Sequence, residues 1–188
     1  MHKVRKKSGL KIQAWRLGEN SPMEKRLLEE KKITRNNDGT YTIMSLEAVR
    51  GGNVGEVAQV GDWFRVEQLT DVLYPFPMTE TFVRNNFRHL ACDEFEVIPK
   101  ILNAWFADDK IICAEVEYLM QTGRLIITKN DPEHYFLAPN LWGAKLSAPE
   151  DSAIIFYEVK RTQSGEIFSI DWNLVVRFAF ERDYILIE

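Results

Sequence analysis

The sequence predicts an α+β protein, with mixed or antiparallel sheets, flanking helices and two pseudo-repeats of about ninety residues. Two stretches, Lys11–Phe87 and Lys100–Tyr184, present the same succession of features at offsets of about 89 to 97 residues. Asp38-Gly39 between alternating runs signals a hairpin. Ala153–Lys160 is nearly continuous in apolar residues, as a strand buried on both faces requires.

The elements follow in chain order. Ile12-Gln13-Ala14-Trp15 and Leu102-Asn103-Ala104-Trp105 open the two halves. Met23, Leu27 and Leu28, set among charged residues, predict the first helix. Its counterpart carries Ala114, Val116, Tyr118, Leu119 and Met120, with Gly123 as the stop signal and Asp108-Asp109 as the expected N-cap. A short strand, a turn and an aromatic come next, ending at Tyr41 and Tyr135. An acidic residue then leads into the most β-prone segment of each half, Asp62–Val66 and Asp151–Tyr157. Each half closes on an aromatic helix-like patch, Phe82–Phe87 and Phe178–Tyr184. The predicted division is 1–98, with a basic arm, and 99–188, the break falling at Ile98-Pro99-Lys100. Trp63–Glu67 alternates where Ala153–Lys160 does not. The C-terminal half is therefore expected to carry the central sheet and the N-terminal half to keep more open surface.

Composition narrows the classes. Hydrophobic residues make up 45 % and charged residues 28 %, ordinary proportions for a chain that folds without metal or disulfide. Cys92 and Cys113 read as buried free thiols of a reducing compartment. No secretory signal and no apolar run long enough for a membrane span is seen, so the expected location is cytoplasmic. Residues 1–35 carry a balance of +7 and the remainder −11. The basic arm reads as a solvated terminus, or else as a contact for nucleic acid or an acidic partner.

The segment Val60-Gly61-Asp62-Trp63-Phe64-Arg65-Val66, then Tyr74-Pro75-Phe76-Pro77, then Phe82 to Phe87, resembles the PGDYG-type proteins, small bacterial and prophage proteins. Their signature is Pro-Gly-Asp-Tyr leading a strand, a proline-containing connection and a Phe-x-x-x-Tyr helix. Phe180–Tyr184 is similar to that last element. Val60 stands for the first Pro, Trp63 for Tyr and Phe64 for the second Gly. The resemblance implies a fold, a bacterial or phage setting and no particular activity.

Chemical motifs are sparse. Gly51–Gly55 lacks the Gly-Lys-Ser/Thr ending of a phosphate loop and reads as a surface loop. His89, Cys92, Asp93, Glu94 and Glu96 lie close together, yet no second Cys/His pair accompanies them, so no metal and no cofactor are expected. Adjacent carboxylates point apart in regular structure, no nucleophile elbow is present, and no catalytic residue is nominated. The preferred reading is a non-catalytic binding module for a protein partner or small ligand. A nucleic-acid-associated protein, or an enzyme with its site between the halves, are the alternatives. The nominated binding residues are Asp62 as turn-setter, Arg65 as anion contact, Trp63 and Tyr74 as stacking surfaces, and His89. Of Trp15, Trp63, Trp105, Trp142 and Trp172, four are expected to be core. Trp63→Ala is expected to weaken binding and spare the fold.

Overall fold

The computed structural model describes residues 1–50, 55–69, 72–109, 111–139 and 145–187. Gly51–Val54, Trp142 and Gly143 lie outside the described residues. Contacts divide the chain into two units. The N-terminal unit is Ser8–Ile98; the C-terminal unit comprises Met1–Lys7, Pro99–Pro139 and the residues from Lys145 on.

The first strand, β1 (His2–Lys6), belongs to the second of these units. The expected assignment of the basic arm to residues 1–98 as a solvated terminus is thereby corrected. Val4 supplies the reason. It is fully buried among Leu102, Ala104, Ile155 and Val175, so one apolar residue between charged neighbours makes an alternating strand.

The N-terminal unit runs β2 (Lys11–Arg16), α1 (Pro22–Glu29), β3 (Ile33–Arg35), β4 (Tyr41–Ile43), α2 (Leu46–Arg50), β5 (Glu56–Ala58), β6 (Trp63–Leu69), β7 (Val72–Met78), α3 (Glu80–Asn86), β8 (Phe87–Ala91) and β9 (Glu94–Val97). Five strands pair in the order β7-β6-β2-β9-β8 and three in the order β3-β4-β5, all antiparallel. Helix α1 starts where Ser21 Oγ accepts the Glu24 N–H at 3.1 Å, with Pro22 following, and it buries Met23 and Leu27. The β3–β4 hairpin turns at Asp38-Gly39, where Gly39 has φ +84°. One face of the large sheet packs Trp15, Leu17 and Phe64 against Leu27, Ile33 and Tyr41. The other packs Ala14, Met78, Phe95 and Val97 with Val83 of α3. Both faces bury apolar residues, and α3 packs over part of the face that holds Trp63 and Arg65, which stay half-buried.

The C-terminal unit runs β10 (Ile101–Phe106), α4 (Ala114–Gln121), β11 (Ile126–Ile127), β12 (Phe136–Pro139), β13 (Lys145–Ala148), β14 (Ala153–Arg161), β15 (Ile167–Val175), α5 (Arg177–Asp183) and β16 (Tyr184–Leu186). Its sheets are β15-β14-β10-β1-β16 and β11-β12-β13, again antiparallel. This is the sheet order of the N-terminal unit, with β1 standing where β9 stands there. The cores correspond as well. Trp15 faces Phe64 across β2–β6, and Trp105 faces Ile154 across β10–β14. After each helix, Lys32 N–H bonds the Leu27 carbonyl and Arg124 N–H the Leu119 carbonyl, both at 2.8 Å. Each half therefore owns a large sheet, which corrects the expectation of a central sheet in the C-terminal half alone.

Two local readings change. Cys113, and not Asp108-Asp109, occupies the N-cap of α4. Asp109 instead takes a bond from His2 at 2.7 Å. Burial alone would raise the Asp109 carboxyl, but the bonds from His2 and the Phe106 N–H, with the His2 and N-terminal charges, hold it below its usual range. Cys92 is exposed, whereas Cys113 is half-buried and burial pushes its thiol up. Beyond α4, Gly123 (φ +68°) ends the helix as predicted.

A β-bulge after Phe156 sets Glu158 opposite Asp171. Burial first, and Glu158 second, raise the Asp171 carboxyl. The native state thus binds that proton more tightly than the unfolded chain. Its stabilising contribution is complete below the ordinary Asp range and is lost as pH rises through the raised pKa. Asp171→Asn is expected to stabilise the protein at pH 7 by about 0.2–1 kcal/mol, the scale of a cross-strand like-charge pair. Urea melts should show that gain vanish in acid.

Candidate functional site

The structure brings four of the five nominated residues to one sheet face. Cross-strand partners share a face, and the register links Trp63 to Met78 and Arg16, and Arg65 to Phe76 and Ala14. Tyr74 falls on the same face, two residues before Phe76 on β7, and His89 joins it through Phe95 and Ile12. Asp62 lies in the preceding turn. There its Oδ2 accepts the Gln59 N–H at 2.9 Å, beside Gly61 at φ +98°. That is the turn-setting geometry proposed for it.

Each nominated group already has work within the unit. Trp63 is half-buried, edge-on to Phe95 at 5.8 Å, and packs on the cluster under α3. The Arg65 guanidinium lies 5.5 Å from the Phe76 ring centre, and Lys32 Nζ stands 4.5 Å from that of Tyr74. His89 is exposed, and its Nε2 lies 2.8 Å from the Cys92 carbonyl oxygen. With Trp63 acting as packing, Trp63→Ala is expected to cost about 2 kcal/mol, less than a fully buried tryptophan. Chemical denaturation would check this, and an unchanged midpoint would return Trp63 to the role of an exposed contact.

A different feature emerges in the C-terminal unit. A cleft of about 520 Å³ is lined by Phe106, Ala107, Asp108, Pro132, Pro149, Glu150, Asp151 and Arg177. Its floor is the end of β10, and one wall is the turn between β13 and β14. Phe106 is held edge-on to Phe180 at 5.2 Å. The two prolines stiffen the rim, since each fixes its own φ. Asp108, Glu150 and Asp151 are exposed carboxylates on this wall and floor. Arg177 is the lining cation, and its Nε donates to Glu181 Oε1 at 2.6 Å. Glu181 first, then Asp151 and Asp108, raise its affinity for its proton further.

The matching corner of the N-terminal unit is shut. There Gly61 N–H bonds the Leu17 carbonyl, and Leu17 N–H the Asp62 carbonyl, both at 2.8 Å. Val60 fills the space above Gly18, where an added Cβ would come within 2.8 Å of it. In the C-terminal unit the residues in register with Gly18, Val60 and Gly61 are Asp108, Glu150 and Asp151, and the corner is an acid-lined cleft. In the sequence Asp108 reads as a helix cap, and nothing marks Glu150. The one available signal was the acidic residue before the β-prone segment of each half, which did single out Asp151.

Glu115 pairs with Arg161 at 2.6 Å, and Asp131 with His134 at 3.1 Å. Among the described residues no group of three His, Cys, Asp or Glu is placed to hold a metal, and no helix is long and apolar enough to cross a membrane. No protein-family model, curated protein or solved structure matches the chain.

Proposed function

We propose that this protein is a non-catalytic, intracellular binding module whose C-terminal unit receives a cationic side chain, Lys or Arg, of a protein partner. The carrying observation is the corner that one unit closes with Val60 over Gly18 and the other opens with Asp108, Glu150 and Asp151. Three carboxylates line the cleft with one guanidinium, which is itself bonded to Glu181. The aliphatic stem of a Lys or Arg would lie on Phe106 and the prolines, with its charged head at the carboxylates. A PGDYG-type ancestry in a bacterial or phage setting is compatible with this reading and is proposed alongside it.

The nucleic-acid alternative loses its main support in β1. Lys3 donates to Asn103 at 2.6 Å and Lys7 to the Glu181 carbonyl at 2.8 Å. Lys6 lies 5.5 Å from the Tyr184 ring centre. The cations of the arm are thus partly spent on its own unit.

Exposed ion pairs are worth about 0.2–1 kcal/mol each, so three of them should hold an isolated cationic side chain with a Kd of roughly 10 mM or weaker. The test is an NMR titration with capped Lys and Arg tripeptides, a Glu tripeptide and a short oligonucleotide. Saturable shifts at Phe106–Asp109 and Glu150–Asp151, with the cationic peptides only, are expected. They should weaken with salt and in Asp108→Asn/Asp151→Asn. Equal response to the Glu peptide, or shifts confined to the Trp63–Tyr74 face, would overturn the assignment.

A further inference from the structure

We propose that the groove between β10 and β16 is a strand-acceptor site that β1 of a second copy of this chain can fill, giving a strand-exchanged dimer. Strand β1 lies inside its sheet, with Val4 opposite Leu102 on one side and Leu186 on the other. Bonds join it to the C-terminal unit. His2 meets Asp109, Lys3 Nζ meets Asn103, Lys7 N–H bonds the Asp183 carbonyl, and Ile187 N–H bonds the Lys3 carbonyl. Covalently, however, β1 continues into β2 of the N-terminal unit, where the Leu10 carbonyl already accepts the Val97 N–H.

Between these two anchored ends lie Ser8 and Gly9, both exposed. Gly9 has φ +75° and open space where a Cβ would stand. The equivalent strand of the N-terminal unit, β9, follows β8 through a tight turn at Cys92 and is tethered locally. Strand β1 is instead retained by contacts that the same strand of another copy reproduces bond for bond. The choice between own and foreign strand rests on the connector. A short flexible tether gives an effective concentration in the millimolar range, so the monomer holds at micromolar protein and exchange rises toward millimolar.

The test uses Lys3→Cys/Asn103→Cys, a pair in direct register on β1 and β10, in a Cys92→Ser/Cys113→Ser background. Cross-strand partners at this spacing suit a disulfide. The protein is refolded at micromolar and at millimolar concentration, oxidised and run on a non-reducing gel. The interchain product is expected to rise about tenfold or more across that range. Deleting Ser8 and Gly9 shortens the connector by up to about 7 Å and should make the interchain product dominant even at micromolar protein. An interchain fraction that stays flat with concentration in the intact-connector protein overturns the proposal, whether or not the deletion variant folds. So do dimers in which no interchain disulfide joins the two substituted positions.

Discussion

Val4→Asp is expected to cost about 4 kcal/mol or more and to melt the large sheet of the C-terminal unit. Val4 is fully buried, and its backbone sits between two partner strands, so no edge lets a charge turn toward water. Its neighbours Leu102, Ile155, Val175 and Phe180 offer no hydrogen bond to a carboxyl. The loss is a large fraction of a typical total stability of about 5–15 kcal/mol. Lys3→Asp is the control. Lys3 is exposed, and its change should stay within about 0.5 kcal/mol plus the lost bond to Asn103. Amide hydrogen exchange reads the outcome by region. Protection should fall at Ala104–Phe106 and Ile154–Phe156. If Val4→Asp leaves these amides as slow as before, β1 is not the closing strand of that sheet.

Glu24→Ala is expected to cost about 3–5 kcal/mol, because three hydrogen bonds to one buried carboxylate are lost together. Glu24 is wholly inaccessible to solvent. Its Oε2 accepts the N–H groups of Gly18 at 2.9 Å and Asn20 at 3.1 Å, and Oε1 accepts the Tyr41 hydroxyl at 3.2 Å. Arg35 Nη2 approaches at 3.9 Å, and Arg35 Nε donates to the Tyr41 oxygen at 2.9 Å. The carboxylate therefore ties the β2–α1 loop, in which Asn20 holds φ +55°, to the first turn of α1 and to β4. Alanine would take this acceptor from the buried Tyr41 hydroxyl and from the part-buried N–H groups of Gly18 and Asn20. Glu24→Gln keeps one acceptor oxygen and should cost less, about 1–3 kcal/mol. Tyr41→Phe should cost about 1 kcal/mol for one lost bond. The ranking Ala, then Gln, then Phe in denaturant midpoints checks the network, and equal costs for all three would refute it.

Much of the architecture is written in local sequence. Helix α1 has its own cap, proline and apolar spacing, the β3–β4 hairpin has Asp-Gly, and α4 has Gly123. Each of these signals acts within a few residues and needs no distant partner. The parallel between Ala14-Trp15 and Ala104-Trp105 marks β2 and β10, the middle strands of the two large sheets. The candidate cleft was far less legible. Asp108, Glu150 and Asp151 meet only because β10 pairs with β14, and no periodicity marks residues that converge from a strand end and a turn.

What the sequence by itself determined is the α+β class, most of the helices, the Asp38-Gly39 hairpin and the recurrence of features along the chain, because these follow from backbone preference and short-range hydrophobic spacing. The tertiary structure alone decided which strands close which sheet, that α3 covers part of the face of Trp63, and that one corner is shut while its counterpart is open. Those outcomes depend on pairings between residues far apart in the chain. The exchange of β1 for β9 between units shows the physical reason: a strand with one buried valine fits any groove offering the right register, and only the folded sheet shows which groove it takes.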